Sequence, residues 1–265
     1  MNQKGSYQFE NLESRHIEAT HLADRAQLRL DGFTDLLNRH EFPSQGKILE
    51  VGSAQGIRTR LMAENFSQSE IIGIDRSPEL LEIAQARNRD LKNLSFQQAD
   101  LYELPFSDNS FDFIYARLVF MHLADPIKAL QSLKRVLRPK GRLLIEDADR
   151  DCMFFEPAPA SFSGFWKKVQ EGQRRLGGDP NVGRKLAPYL KQLNFQKVKI
   201  ETQPIVGGGE EIEFLVRTLL PSLNIYLEPQ DRSIGQAAIN DLLKMSEDPR
   251  ASFYHFWFVV SGEKE

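Results

Sequence analysis

From residue 47 onward the chain alternates short apolar runs with stretches in which apolar residues recur every three or four positions. The runs are "KILEV" (47–51), "EIIGID" (70–75), "LSFQQAD" (94–100), "FDFIYARL" (111–118) and "GRLLIED" (141–147). Each has the length of a strand, and the first, second and fifth are nearly continuous in apolar character, as in strands covered on both faces. Between them, "GIRTRLMAENF", "SPELLEIAQARNRD" and "DPIKALQSLKRVLRP" carry the helical rhythm. Ser77 and Pro78 fit the cap and first position of the second helix, and Pro139-Lys140-Gly141 stops the third.

Strands alternating with helices across short loops predict an α/β fold built on a parallel sheet with helices on both faces. Residues 10–40 hold a helical pattern (Ile17, Leu22, Leu28, Leu30, Phe33, Leu36, Leu37), which predicts one or two amphipathic helices ahead of the sheet. Beyond residue 150, helices are expected over 161–176, 183–195, 207–227 and 234–248, and strands over 196–205 and 253–264. The two late strands suit an antiparallel edge, giving seven strands in all. One unit spanning 1–265 follows. It comprises a helical cap (1–40), a core (41–150), helices with a sixth strand (151–250) and a last strand (251–265).

The 265 residues are 41% hydrophobic and 27% charged, with a net charge of −3, ordinary for a globular chain with a real core. Nothing there favours a nucleic-acid or membrane partner. Cys152 is the single cysteine, so no internal disulfide and no thiolate metal site is expected. The opening residues show no apolar core of signal-peptide length, and no run approaches the ~20 apolar residues of a membrane span. Cytoplasmic placement is the expectation.

Candidate chemistry gathers where the strands end. "KILEVGSAQG" places Glu50 at the end of an apolar strand, followed by the small-residue loop Gly52-Ser53-Ala54-Gln55-Gly56. Such a loop lets backbone approach a ligand, and the helix after it offers free N–H groups. Asp75, 19 residues beyond Gly56, ends the second strand, as expected of an acid that accepts from ribose hydroxyls. Glu50 would repel a pyrophosphate and suits a cationic or donating ligand instead. Asp100 adds a carboxylate at the same sheet edge.

The segments "ILEVGSAQG", "IIGIDRSPELLEIAQARN", "FQQADLYELPFSDNSFDFIYARLVFMHLADP" and "LKRVLRPKGRLLIED" resemble the successive motifs of class I S-adenosylmethionine-dependent methyltransferases. The likeness is to the small-molecule branch that includes the ubiquinone and menaquinone biosynthesis enzymes. It covers residues 46–149 and is fainter over 183–205 and 253–262. It implies a Rossmann-like sheet of seven strands, mostly parallel with an antiparallel last strand, plus helical cap segments. It implies S-adenosylmethionine as cofactor, S-adenosylhomocysteine as product and a small-molecule methyl acceptor.

At matching positions, Glu50, Gly52, Ser53 and Gly56 would line the methionine part. Asp75 would take the ribose and Arg76 would lie beside adenine. Asp100 and Leu101 would hold adenine, and Arg117 would lie near the amino-acid part. Ala54 departs from the family's usual glycine.

His122 admits two readings, a general base or substrate contact and a packing histidine at a helix start. Asp149 and Tyr115 are weaker base candidates. Asp147, Asp149 and Asp151 read as a solvated acidic loop rather than a metal site, and Cys152 as an inert apolar residue. Phe154, Phe155, Phe162, Phe165 and Trp166 either line a pocket or form the core of a helical cap. Rival functions are methylation of RNA or protein, cofactor binding without turnover, and a nicotinamide-dependent oxidoreductase. No Asn/Asp-Pro-Pro-aromatic motif follows the fourth strand.

Overall fold

A computed structural model of the chain describes residues 5–9, 12, 15–27 and 30–265. Leu28 and parts of the predicted cap 1–40 lie outside the described residues. The predicted alternation is realised in order. It runs α1 (Arg15–Gln27), α2 (Phe33–Arg39), β1 (Lys47–Val51), α3 (Ile57–Asn65), β2 (Glu70–Asp75), α4 (Pro78–Arg87), β3 (Leu94–Gln98), β4 (Phe111–Arg117) and α5 (Pro126–Val136). Then come β5 (Leu137–Glu156), α6 (Phe162–Arg175), α7 (Leu186–Gln192), β6 (Gln196–Gly207), α8 (Gly209–Thr218), α9 (Arg232–Ser246) and β7 (Ser252–Glu263).

The seven strands form one sheet in the order β3-β2-β1-β4-β5-β7-β6. The pairs β3–β2–β1–β4–β5 are parallel, and β7 runs antiparallel to both of its neighbours. The antiparallel last strand is therefore inserted between β5 and β6, and β6 forms the edge.

Alternate residues of each strand face opposite layers. Leu49, Val51, Ile72, Ile74, Ile114, Leu143 and Ile145 pack with α5 residues Ala129, Leu130 and Leu133. Ile48, Ile71, Phe113, Tyr115 and Leu144 pack with Phe33, Leu36 and Leu37 of α2 and Met62 of α3. Two-sided burial explains the nearly continuous apolar runs. Helix starts follow their local chemistry. Ser77 Oγ accepts from Leu80 N at 3.4 Å, and Asp125 Oδ1 from Lys128 N at 2.9 Å.

Among the boundaries that differ from expectation, two are those of β5. The third helix ends at Val136 and β5 begins at Leu137, because Leu137 already pairs with Phe111. Pro139 is accommodated in the register shift before Arg142, where Lys140 takes φ +65°. At its other end β5 continues well past residue 147, through a second register shift between Ala148 and Met153. There β5, β6 and β7 together overrun the parallel core and build a wall beyond its carboxyl edge.

The aromatic cluster after β5 resolves as a helical core. Phe155, Phe162, Phe165 and Trp166 pack with residues of α8, α9 and the 3₁₀ turn Pro221–Tyr226, while Phe154 is half exposed. The solvated-loop expectation for Asp147 and Asp149 is corrected, since both are fully buried. Asp147 accepts from Phe120 N, Met121 N and Ala148 N (2.8, 3.3 and 2.9 Å), which clamps the turn after β4 to β5. Asp149 pairs with Arg184 and accepts from Asn181 Nδ2 at 2.9 Å. Tyr115 donates to Glu146 in the sheet interior. Neither base candidate, Asp149 or Tyr115, borders the cavity described next.

Candidate active site

A cavity of about 630 Å³ opens at the carboxyl edge of the parallel strands, with β1 and β4 at its floor. α1 roofs it, packing on α3 and α8, and the overrun of β5 and β7 forms the far wall. Of the predicted cofactor residues, Glu50, Gly52, Ser53, Asp75, Arg76, Asp100, Leu101 and Arg117 all border this space, as does His122.

Gly56 does not border it. Gly56 takes φ +73° at the entrance to α3, and a Cβ there would come within 2.4 Å of Phe96 Cζ, so its part is to turn the chain into the helix. Gly52, at φ +69°, lies against Val119, whose Cγ2 a Cβ would approach to 2.5 Å. That close approach keeps the first loop flat against the turn after β4.

Ala54, which departs from the family's glycine, has φ +45°. Left-handed backbone costs a residue with Cβ about 1–2 kcal/mol, and glycine's extra unfolded-state entropy returns about 0.4–1 kcal/mol of the gain. Ala54→Gly is expected to raise stability by roughly 0.5–1 kcal/mol, read as a higher denaturation midpoint in urea. An unchanged or lower midpoint would show that the loop carries no strain there.

Glu50 is 4% exposed and accepts from Thr59 Oγ1. Burial lifts its carboxyl to about 7, opposed by the Thr59 hydrogen bond and by Arg58 and Arg117. The Arg117 guanidinium lies 4.6 Å over the Trp257 ring, and its Nε and Nη2 are buried without a partner among the described residues. Burial, then the neighbouring Arg58, lower Arg117 to about 10, so it stays charged at neutral pH. Ser53 Oγ is likewise buried without a partner among the described residues.

Asp75 braces the loop. Its Oδ2 accepts from Ala54 N and its Oδ1 from Ser77 N, both at 2.9 Å. A carboxylate oxygen can accept from more than one donor. Asp100 is exposed and accepts from Tyr102 N at 2.9 Å, with the buried Leu101 beside it.

This donor and acceptor set fits an S-adenosyl group. A carboxylate with cationic neighbours sits beside the glycine loop, two buried donors of Arg117 and one hydroxyl await partners, and an edge acid is placed for a ribose.

The family model described as a methyltransferase domain matches residues 49–145. An uncharacterised methyltransferase of Schizosaccharomyces pombe is 36% identical over 230 residues, covering 78% of this chain and 81% of that protein. The chain belongs to the S-adenosylmethionine-dependent methyltransferases. A demethylmenaquinone methyltransferase of Thermotoga maritima is 38% identical over 99 residues, covering 37% of this chain and 42% of that one. In fold, the methyltransferase resembles a Haemonchus contortus phosphoethanolamine N-methyltransferase solved with phosphomonomethylethanolamine and S-adenosylhomocysteine. There the TM-score is 0.59 at 21% identity, covering 89% of this chain and 52% of that one.

His122 of this methyltransferase sits in the 3₁₀ turn Phe120–His122, the turn that Asp147 clamps. Its Nδ1 lies 3.2 Å from Ser6 Oγ and 3.3 Å from Tyr226 Oη, with the Tyr7 ring at 5.2 Å. Burial, then the charges of Arg150 and Arg25, push its imidazole down to about 3, so the ring is neutral at physiological pH.

Sequence reasoning missed Arg58, Arg150, Tyr226 and Trp257, which also border the cavity. Arg58 is the second residue of an ordinary helix, and the others come from segments remote in sequence. Only the strand-like aromatic run "FYHFWFVV" carried a signal, and it pointed to a strand rather than a site.

Proposed function

We propose that this methyltransferase alkylates a small molecule with an apolar body, held between the turn after β4 and the wall of α8, the 3₁₀ turn 221–226 and β7. The observation that carries this reading is continuity. The cavity floored by Glu50 and Asp75 extends without a break to Leu215, Leu219, Leu223 and Phe253. The roof formed by α1 favours a compact acceptor over a nucleic-acid strand or a folded protein. Cytoplasmic placement fits the composition, and among the described residues no helix is long and apolar enough to cross a membrane.

When bound, S-adenosylmethionine supplies a methyl group already activated by positive sulfur. The chain's own work is then binding, orientation and exclusion of water. Asp75 accepts from the ribose hydroxyls, Asp100 and Leu101 hold adenine beside Arg76, and Gly52 and Ser53 line the methionine part. Glu50 receives the amino group, and Arg117 donates to the carboxylate through its free nitrogens. Leu118, Val119 and Met121, which border the cavity, shield the transfer region from water.

Neutral His122 contacts the acceptor's nucleophilic atom. With its basicity lowered by burial it acts more as a hydrogen-bonding guide than as a strong base. His122→Ala is expected to lower turnover about tenfold, the worth of one hydrogen bond of roughly 1.4 kcal/mol, while sparing S-adenosylhomocysteine affinity. Labelled-methyl transfer to a panel of hydroxylated, aromatic and isoprenoid acceptors, with calorimetry alongside, reads both quantities. Transfer to none of them despite tight cofactor binding would favour a binding protein without turnover.

A further inference from the structure

Arg150 stands in the extension of β5 beyond the parallel core and is 5% exposed, yet it forms no ion pair among the described residues. Other arginines at or near the interior have acidic partners. Arg142 pairs with Glu41 and Glu263, and Arg25 pairs with Glu18 at 2.6 Å. Arg117 lies in the field of Glu50.

Arg150 donates through Nε to Gln173 Oε1 at 2.7 Å, and Gln173 is fixed in that orientation because its Nε2 donates to Met121 O at 2.8 Å. The guanidinium lies 5.1 Å over the Trp166 ring and 5.8 Å from the Tyr226 ring. These contacts hold the plane of the fork, and among the described residues the guanidinium's one hydrogen bond is the one from Nε, while Arg150 borders the cavity.

Removing a guanidinium from water without a counter-charge is costly, and two ring faces offset only part of that. A planar guanidinium fork beside an apolar wall matches a carboxylate, which it can bind bidentately. The surrounding charges leave this demand unmet. Glu18 is taken by Arg25 and Tyr7. Asp147 lies below the turn with its oxygens used by three backbone amides. Glu210 and Glu211 are exposed at the rim. Arg25 adds a second positive charge near His122, and His122 and Tyr226 offer polar atoms beside it. Leu219, Leu223 and Phe253 give the same space an apolar side, beside the polar Ser222 and His255.

We propose that the methyl acceptor carries a carboxylate on an apolar body, and that Arg150 receives that carboxylate in the cavity wall opposite the cofactor. This rests on the methyltransferase reading of the same cavity and names its substrate class. Arg150 is thereby a specificity-determining residue, and Gln173 positions it.

The test titrates protein saturated with S-adenosylhomocysteine with three acid and amide pairs, namely cinnamate, 2-naphthoate and geranate against their primary amides. At least one acid is expected to bind tenfold or more tightly than its amide, the preference vanishing in Arg150→Gln. No acid preferred over its amide, or a preference that survives Arg150→Gln, overturns the proposal. Should Arg150→Gln fail to fold, Arg25→Gln decides. A preference that survives there supports Arg150, and one lost there assigns the carboxylate to Arg25 instead. The preceding titration with S-adenosylhomocysteine alone reports separately on the cofactor site, so failure of the methyltransferase reading is distinguishable.

Discussion

Glu50→Gln is expected to weaken S-adenosylmethionine binding about 10- to 100-fold, because the change keeps shape while removing the charge that, in the proposed binding mode, meets the cofactor's amino group. A hydrogen bond to a charged partner is worth roughly 1.5–3 kcal/mol, which spans that range. The pH dependence separates this charge from simple packing. In the ligand-free chain burial lifts the Glu50 carboxyl to about 7. A cationic amino group favours the ionised carboxylate, so binding expels its proton, and affinity should rise from pH 6 to 8 and then level off. Glu50→Gln should lack that rise.

Ligand-free stability has the opposite sign. A carboxyl whose folded pKa lies above its unfolded value stabilises most at acid pH, and the contribution is lost as pH climbs through about 7. Asp147, also raised to about 7 by burial, adds the same trend and remains in the variant. Melting curves between pH 5 and 8 should therefore decline less steeply for Glu50→Gln than for the parent. Parallel curves and equal affinities would remove Glu50 from the cofactor site.

Asp75→Ala should cost at least as much. In the proposed binding mode its carboxylate takes the ribose hydroxyls, and it braces the loop through Ala54 N and Ser77 N. Loss of the acceptor predicts roughly 1–3 kcal/mol in S-adenosylhomocysteine affinity, with further loss from the freed loop. Asp75→Asn keeps one oxygen for the backbone and should fall between the two. Calorimetry giving equal affinity for all three proteins would show that the ribose is held elsewhere.

The parallel half of the fold was legible because its strands are buried on both faces and its helices carry their own start signals. "KILEV" and "EIIGID" could hardly be anything but interior strands, and Ser77-Pro78 caps a helix as its chemistry requires. The carboxyl-edge acids were legible for a related reason, since polar residues at the ends of apolar strands stand out.

The acceptor wall was not. β5 continues past Asp147 through a register shift, and "DADRDC" interrupts the alternation that would have announced it. Asp147 and Asp149 looked like loop acids because the amides and the arginine that satisfy them come from distant segments. Arg150 and Tyr226 meet only through the tertiary packing of β5 against the turn after α8. Gly56 shared the glycine-loop pattern but serves the helix entrance. No local sequence rule separates that task from touching a ligand.

A crystal structure of the protein with S-adenosylhomocysteine tests the central claim most directly. The ribose hydroxyls should lie within hydrogen-bond distance of Asp75, the amino group beside Glu50 and the carboxylate on Arg117 Nε or Nη2. A ligand bound away from the carboxyl edge of the sheet, or a folded protein that leaves that edge empty at saturating ligand, would contradict it.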